Sequence, residues 1–167
     1  MDAVASLSRM LDVEADSECL QDALWREHSG RLLQYATFLA GPSDANDVVV
    51  EAFLRAAPRV VDGSVANPGA YLFRAVTNQV SSLRRSRERR WRRDLQAIRP
   101  VHADVADDFA EVRRAVADLS VAQRTVVFLV YWEDRTERDI ADLLGVTLST
   151  VREHRLRARA HLRKALR

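Results

Sequence analysis

The sequence predicts an all-α protein made of two small helical domains joined by a flexible linker, the second domain being a helix-turn-helix. Glycine and proline are scarce, at five and four of 167 residues, which favours helices over turn-rich sheets. Apolar residues recur at helical spacing in several successive stretches. Residues 94–107 lack this periodicity, contain Pro100 and end in acids, which is typical of a linker between domains.

The first helix is predicted to begin at Asp22, because residues 1–20 carry mixed charge and weak periodicity and resemble a frayed tail. Gly41-Pro42 ends this helix. Its buried face is predicted to comprise Leu24, His28, Leu32, Tyr35, Ala36 and Leu39. We interpret His28 as a core or interface histidine, since an isolated histidine on an apolar face seldom binds a ligand.

The second helix is predicted to be capped by Ser43, with Asp44 and Asp47 in its first turn, where acids interact favourably with the helix dipole. Pro58 ends or kinks it, and a loop is predicted from 59 to 66. The inward stripe comprises Val48, Val49, Ala52, Phe53 and Ala56. Val50, Glu51 and Leu54 lie off this stripe and indicate a docking surface.

The third helix is predicted to begin at Asn67-Pro68, an N-cap followed by proline at the first helical position. Its inward face comprises Leu72, Val76, Val80 and Leu83. Its outward polar groups are Arg74, Thr77, Asn78, Ser81, Arg84 and Arg85. Trp91 either covers a hydrophobic edge, which we favour, or stacks on a base.

After the linker, a helical stripe is predicted from Phe109, Val112, Val116 and Leu119. Ser120 is predicted to cap a further helix. The buried residues of that helix include Val126, Val127, Leu129 and Val130.

The segment TERDIADLLGVTLSTVREHRLRARAHL, residues 136–162, predicts a helix-turn-helix. Thr136 with Asp139 forms a pair like a capping box, Gly145 supplies the turn, Val146 is predicted to enter the core, and Thr147 caps the second helix. The buried positions are Ile140, Ala141 and Leu144 on the first helix and Val151, Ala158 and Leu162 on the second. The alternative is an αα-hairpin packed inside a helical bundle.

The charge distribution favours a DNA-binding helix over that hairpin. Net charge is only +2, yet Arg84–Arg93 and Arg152–Arg167 each contain seven basic residues and one acid. A solvated helix face usually mixes signs, whereas one-signed charge suits a phosphate backbone. Two basic patches on an otherwise acidic chain predict contact with nucleic acid at two places and acidic surfaces available to a protein partner.

Other classes of protein find little support. The sequence has no apolar run long enough to span a bilayer and no signal peptide at its start. Cys19 is the only cysteine, which favours a reducing cytosol. The histidines His28, His102, His154 and His161 form no ligand motif and no phosphate-binding glycine loop occurs, so we expect no catalytic residues, metal or cofactor.

Two segments resemble one family. Residues 119–166, LSVAQRTVVFLVYWEDRTERDIADLLGVTLSTVREHRLRARAHLRKAL, resemble the region-four domain of extracytoplasmic-function sigma factors of bacterial RNA polymerase. DANDVVVEAFLRA and NPGAYLFRAVTNQVSSLRRSRERR resemble their region-two domain. The resemblance implies a tail over 1–20, region two over 21–93, a linker over 94–108 and region four over 109–167. Departures from the family pattern are Asn46, Val50, Pro58, Ser149 and Arg155.

The resemblance implies a cytoplasmic transcription-initiation factor rather than an enzyme. It would bind core RNA polymerase and promoter DNA, both as duplex and as melted strand, and an anti-sigma factor is a further implied partner. Polymerase contacts would come from Asp44, Asp47, Val50, Glu51 and Leu54. Contacts with the melted minus-ten element would come from the loop before the third helix and from Arg74, Thr77, Asn78, Ser81, Arg84 and Arg85.

Recognition of the minus-thirty-five duplex would come from the last helix. Ser149, Thr150, Arg152 and Glu153 lie where base edges would be reached, since arginine can pair with guanine and glutamate with cytosine. Arg155, Arg157 and Arg159 would hold phosphates, which position the helix without specifying sequence. The full set is Thr147, Ser149, Thr150, Arg152, Glu153, Arg155, Arg157 and Arg159.

Two rivals remain. A free-standing helix-turn-helix regulator needs neither DANDVVVEAF nor the second basic helix, and co-purification with core polymerase discriminates it. A membrane-surface protein would use Leu83–Arg93 as a basic amphipathic helix, but the apolar face of that segment is narrow.

Overall fold

The structure, a computed structural model, describes residues 2–93 and 110–166, with the backbone alone for 2–16 and 90–93. The described residues form helices and no strand, which confirms the all-α class. The helices are α1 (Asp2–Ala40), α2 (Pro42–Val61), α3 (Pro68–Arg93), α4 (Ala110–Ala117), α5 (Val121–Tyr131), α6 (Glu137–Leu144) and α7 (Leu148–Ala165). The predicted linker over 94–108, Phe109 and the side chain of Trp91 lie outside the described residues.

Helix α1 is longer than the sequence predicts. The predicted tail over 1–20 is wrong from Asp2 onward, because α1 already begins there. No glycine or proline precedes Gly30, so the backbone meets none of the residues that strongly oppose a helix. The predicted stop is confirmed: Gly41 takes φ +92° and Pro42 begins the next helix.

Helix α2 differs from the prediction at both ends. Gly41, not Ser43, is its N-cap, and Pro42 occupies the first turn, where its missing N–H removes no intrahelical bond. Pro58 lies inside the helix, which continues to Val61. Asp62 N donates to Pro58 O at 3.0 Å, so the predicted loop over 59–66 shortens to residues 62–67. A proline so close to the C-terminal end of a helix destabilises the helix little, because it removes only one of the last backbone hydrogen bonds.

The predicted inward faces of the first three helices are confirmed. Every predicted position is buried except His28 and Leu83, which are half-buried. Asn67 Oδ1 accepts a hydrogen bond from Ala70 N at 2.9 Å, which confirms the predicted start of α3.

For the C-terminal helices, the predicted N-caps are confirmed, but two side chains that were predicted to be buried are exposed. Ser120 and Thr136 both form capping boxes, with Gln123 and Asp139 respectively. The predicted stripe of α4 is wrong at Val112, which is 41% exposed, because Ala115 takes the buried place, while the predicted burial of Leu119 is confirmed. Of the remaining predicted core positions, Val116, Val130, Leu144 and Leu162 are half-buried and the others in the described residues are buried.

Val146 does not enter the core, contrary to the prediction, and is 41% exposed. Its N–H donates to Ala141 O at 3.0 Å, while Gly145 N donates to Asp142 O at 3.3 Å. This is the Schellman pattern that ends α6. It turns the Val146 side chain outward, and Leu143 takes the buried place.

Helices from both halves of the chain share one core. Tyr35 of α1 is fully buried, with its ring centroid 4.9 Å from that of Phe73 in α3 and 5.0 Å from that of Phe128 in α5. Its hydroxyl lies 2.7 Å from Thr77 Oγ1 and donates to Thr125 Oγ1 at 3.0 Å. Burial raises the pKa of Tyr35 to about 12, so the hydroxyl stays neutral. Apolar packing and this hydroxyl cluster therefore join α1–α3 to α5–α7.

We expect Tyr35→Phe to lower the free energy of unfolding by about 1–2 kcal/mol, because the buried Thr125 hydroxyl loses its partner. Urea unfolding followed by circular dichroism measures this. Tyr131→Phe is the matched control, since Tyr131 is 62% exposed and its hydroxyl loses little. An equal loss of stability in the two variants would contradict the role given to the Tyr35 hydroxyl.

Candidate nucleic-acid interface

The helix-turn-helix is built by α6, a left-handed glycine and α7. Gly145 takes φ +67°, which lets the chain reverse without strain. Ile140 of α6 and Val151 of α7 are fully buried, so the two helices are held against one another by apolar side chains. The N-terminal turns of α7 thereby stay on the surface.

Three hydroxyls cluster at the start of α7. Thr147 Oγ1 accepts from Thr150 N at 3.2 Å and lies 2.8 Å from both Ser149 Oγ and Thr150 Oγ1. The predicted cap is confirmed. Ser149 is exposed and Thr150 half-buried, so these side chains both fix the helix start and present polar groups at its tip.

Arg152 and Arg155 share one acid. Arg152 Nε lies 3.0 Å from Glu137 Oε2, and Arg155 Nε lies 3.1 Å from Glu137 Oε1. The Arg152 side chain is 61% exposed and that of Arg155 35%. Arg155 occupies a position that is usually apolar in the family, and it lays its chain along the surface to reach Glu137. Exposed ion pairs contribute about 0–1 kcal/mol, so these arginines can exchange Glu137 for another anion.

The remaining basic residues of α7 point to solvent. Arg157 Nη2 donates to Glu153 Oε1 at 2.6 Å, one helical turn away. Arg159 is exposed, and among the described residues no acid pairs with it. Most of the predicted contact residues are therefore exposed, with Thr150 and Arg155 half-buried, and Arg159 is the one arginine of this set that no acid among the described residues pairs.

The polar face of α3 is less open than predicted. Asn78, Arg84 and Arg85 are exposed, whereas Arg74, Thr77 and Ser81 are half-buried. Thr77 Oγ1 bonds Tyr35 and Phe73 O, and Ser81 Oγ donates to Thr77 O at 2.9 Å. Arg84 Nη1 donates to Leu119 O at 3.3 Å, and Arg85 Nη2 to Ser82 Oγ at 3.1 Å.

Part of this face lies against the helix-turn-helix. Arg74, Thr77 and Asn78 line a cavity of about 200 Å³ whose other walls belong to α5, the turn after α6 and α7. Thr150 and His154 of α7 are among the wall residues. Residues that the family resemblance implies for contact with melted strand and with duplex thus line one cavity.

The loop before α3 borders a larger cleft of about 580 Å³, whose walls carry arginines and also the acids Asp139 and Asp142. Arg59, Arg74 and Arg135 line it, together with Tyr71. The guanidinium of Arg74 lies 5.8 Å from the Tyr71 ring centroid. In the loop, hydrogen bonds from Ser64 hold the pKa of Asp62 below its usual range.

The predicted docking surface on α2 has an exposed apolar centre and acids at its margin. Val50 is 44% and Leu54 64% exposed, and Asp47 is exposed. Asp44 is held by Arg87, with both Nη–Oδ distances at 2.6 Å. Glu51 accepts from Gln79 and from Arg55.

The sequence analysis does not predict the contacts of four residues at these surfaces. Glu137 and Arg87 each neutralise a predicted site residue across helices, and Thr125 bonds Tyr35. Arg124 is 8% exposed; burial and then the neighbouring Arg84 lower its pKa to about 10. Periodicity places Arg124 and Thr125 on α5 beside apolar residues, but only the packing of α5 on α1 and α3 shows that both are buried.

Within 2–93 and 110–166 no cluster of histidine, cysteine or acidic side chains has the geometry of a metal site. No helix in the described part of the chain is long and apolar enough to cross a membrane.

A capped helix-turn-helix with a basic, exposed second helix, joined to a second basic helix, is the architecture of a DNA-binding protein. The chain matches Sigma-70 region 2 over residues 24–90 and Sigma-70 region 4 over 109–162. It is 31% identical over 159 residues to the ECF RNA polymerase sigma factor SigL of Mycobacterium tuberculosis, in strains including H37Rv and CDC 1551, covering 87% of this chain and 88% of SigL.

Among solved structures, the fold is similar to the sigma factor RpoE in complex with the anti-sigma factor NepR from Bartonella quintana. The TM-score is 0.62 at 23% identity, over 93% of this chain and 96% of RpoE. The protein therefore belongs to the ECF RNA polymerase sigma factors, a family of regulatory DNA-binding proteins, and acts in promoter recognition and transcription initiation.

We expect Glu137→Gln to raise the affinity for duplex DNA by up to about fivefold at low salt, because Arg152 and Arg155 lose a competing anion worth about 0–1 kcal/mol. Fluorescence anisotropy with a labelled duplex measures this. Asp142→Asn makes the same change of charge on the same helix, at an exposed acid that forms no ion pair among the described residues. Equal gains in both variants would mean that net charge alone, and not release of the arginines, sets the affinity.

Proposed function

We propose that the protein binds core RNA polymerase through α2, holds the melted minus-ten strand with α3 and recognises the minus-thirty-five duplex with α7. It works in the cytoplasm, where bacterial polymerase acts, and it supplies no catalytic chemistry and no cofactor of its own. The observation that carries the proposal is the exposed basic stripe of α7, which begins at a hydroxyl-capped turn held out from the core by buried Ile140 and Val151.

Recognition of duplex would be divided along α7. Ser149, Arg152 and Glu153 lie within the first two turns after Thr147, which is the part of a recognition helix that reaches base edges. Arg157 and Arg159 lie further along and suit phosphates. Arg155 is the departure from the family pattern, and its ion pair with Glu137 keeps it beside Arg152.

Capture of melted strand would use α3 and the loop over 62–67. Bases that leave the stack need aromatic or planar groups to cover them and cations to follow their backbone. The cleft beside the loop offers both kinds of group, with Tyr71 beside Arg59, Arg74 and Arg135. Asn78 and Arg85 extend the polar face along α3.

Binding of polymerase would centre on Leu54 and Val50. These are exposed apolar side chains on a surface flanked by Asp47 and Glu51, which is the pattern of an apolar contact with a polar rim. We expect Asp44 to contribute less to polymerase binding than the sequence predicts, because Arg87 already donates hydrogen bonds to its carboxylate.

An anti-sigma factor is a further proposed partner. The support is the similarity in fold to RpoE, whose structure was solved in complex with the anti-sigma factor NepR.

Run-off transcription with core polymerase on genomic fragments tests the proposal, and Leu54→Asp sharpens it. The new carboxylate would be desolvated in an apolar contact without a partner, at a cost of about 2 kcal/mol or more, so we expect at least about thirtyfold weaker binding to core polymerase and loss of run-off product. Leu20→Asp is the control, because Leu20 is also exposed, at 54%, but lies on α1. Unchanged affinity of Leu54→Asp would remove this surface from the proposal.

We expect Arg152→Ala to change sequence preference and Arg159→Ala to change overall affinity for DNA. A bidentate base contact discriminates by about 1–3 kcal/mol, so we expect loss of Arg152 to relax preference at one base pair of the minus-thirty-five element. Loss of the phosphate contact at Arg159 should weaken binding to all sequences alike and lower the salt slope by about one.

Selection from a randomised upstream element with each mutant holoenzyme, plus a salt titration, measures both effects. If Arg152→Ala returned the wild-type motif, or Arg159→Ala shifted one position of it, α7 would be docked in another orientation. Arg155 would then be the residue that rotates it.

A further inference from the structure

We propose that the start of α5 and two arginines beside it form a binding site for a phosphate group. The arginines are Arg124 of α5 and Arg84 of α3, and the helix start is the one capped by Ser120. The family resemblance implies a contact of Arg84 with melted strand and gives Arg124 no role. The site is independent of the proposed function, because it is tested as ion binding to the free chain.

Arg124 is a buried cation without a counter-ion. The residue is only 8% exposed. Its Nε is enclosed and has no hydrogen-bond acceptor among the described residues. Burial, and then the neighbouring Arg84, lower its pKa to about 10, so the guanidinium still carries its charge at neutral pH. A buried charge without a partner is costly, and a bound anion would offset much of that cost.

Arg84 brings a second cation to the same place. Its Nη1 donates to Leu119 O at 3.3 Å, which puts the guanidinium beside the residue that precedes the N-cap of α5. It also lies close enough to Arg124 for the two positive charges to repel one another. In the described part of the chain, Arg84 donates to no acid. An anion bound between the two guanidinium groups would replace their repulsion by attraction to a shared partner.

The first turn of α5 supplies a third positive group. Ser120 Oγ accepts from Gln123 N at 3.2 Å, and Ser120 O accepts from Arg124 N at 2.9 Å. The N–H groups of Val121 and Ala122 belong to the part of a helix that has no intrahelical acceptor, where the positive end of the helix dipole lies. Side chains on a helix lean towards its N-terminus, so the Arg124 side chain extends towards this turn.

The arrangement favours phosphate over other anions. Two guanidinium groups and a helix N-terminus offer donors from three separate parts of the structure, which suits the tetrahedral oxygens of a phosphate better than the two coplanar oxygens of a carboxylate. The charge also matches, since a phosphate monoester carries about 1.5–2 negative charges at pH 7. Arg84 and Ser120 are exposed, so an ion can enter from solvent.

Isothermal titration calorimetry of the full chain with inorganic phosphate, at an ionic strength kept constant with potassium chloride, measures the binding. We expect wild type to bind phosphate, and Arg124→Leu and Arg84→Gln each to bind it at least about tenfold more weakly, because charge-assisted hydrogen bonds are lost. Arg138→Leu is the matched control. Arg138 is exposed and lies in the first turn of α6, another capped helix, so its loss should leave phosphate affinity unchanged.

Thermal unfolding gives a second readout, in which Arg124→Leu has two opposite effects. Phosphate at several times its Kd should raise the Tm of wild type by about 2–4 °C. Without phosphate, Arg124→Leu should unfold at a higher temperature than wild type, because the unpaired buried charge is gone, yet phosphate should not raise its Tm further. If Arg124→Leu does not fold, Arg84→Gln makes the same test from an exposed position.

A rise in Tm of the same size in wild type and both variants would be a general salt effect and would overturn the site. So would the absence of phosphate binding to wild type, or equal phosphate affinity in wild type and both variants.

Free phosphate, a nucleotide and the DNA backbone all offer this chemistry, and two further titrations distinguish them. Adenosine 5′-monophosphate and a short single-stranded oligonucleotide are compared with inorganic phosphate, each in wild type and Arg124→Leu. Equal affinities would assign the site to free phosphate, a tighter monophosphate to a nucleotide, and a tighter oligonucleotide that depends on Arg124 to the DNA backbone. Adenosine without its phosphate is the control, and binding of adenosine as tight as that of the monophosphate would overturn recognition of the phosphate group.

Discussion

The arrangement of the molecule depends on the burial of Tyr35. Its ring fills the space between α1, α3 and α5, and its hydroxyl is bonded on one side to Thr77 and on the other to Thr125. A phenol in an apolar core requires such partners, since an unpaired buried hydroxyl is costly. Apolar contacts alone would allow several similar arrangements of the two halves. The hydrogen bonds of the Tyr35 hydroxyl are directional, so they select one of these arrangements.

Much of the fold follows from local sequence. The caps at Ser120, Thr136 and Thr147, the stop at Gly41-Pro42 and the inward stripes of α2 and α3 depend on neighbours within a few residues, and the structure has all of them. The failures have a different cause. Val112 has a core-like side chain, but which side chain of α4 is buried depends on how distant helices meet. Val146 is turned outward by the hydrogen bonds that end α6.

The candidate surfaces show the same division. Exposure of Val50 and Leu54 follows from their place off the stripe, and the basic face of α7 follows from its composition. Pairing of Glu137 with Arg152, and burial of Arg124 beside Arg84, join residues far apart in sequence or on different helices. The local sequence pattern therefore predicts which side chains can contact DNA or polymerase. It does not predict which acids and helices contact those side chains in the free chain.

Both the backbone conformation and the absence of a side chain matter at Gly145. Its φ of +67° is needed to reverse the chain, and the missing side chain leaves room for Arg74 of the other half. Replacement by alanine would strain the turn and displace the guanidinium together. The cost of a side chain here therefore falls mainly on the turn of the DNA-recognition motif, because the tip of the flexible Arg74 side chain needs to move by only a few tenths of an ångström.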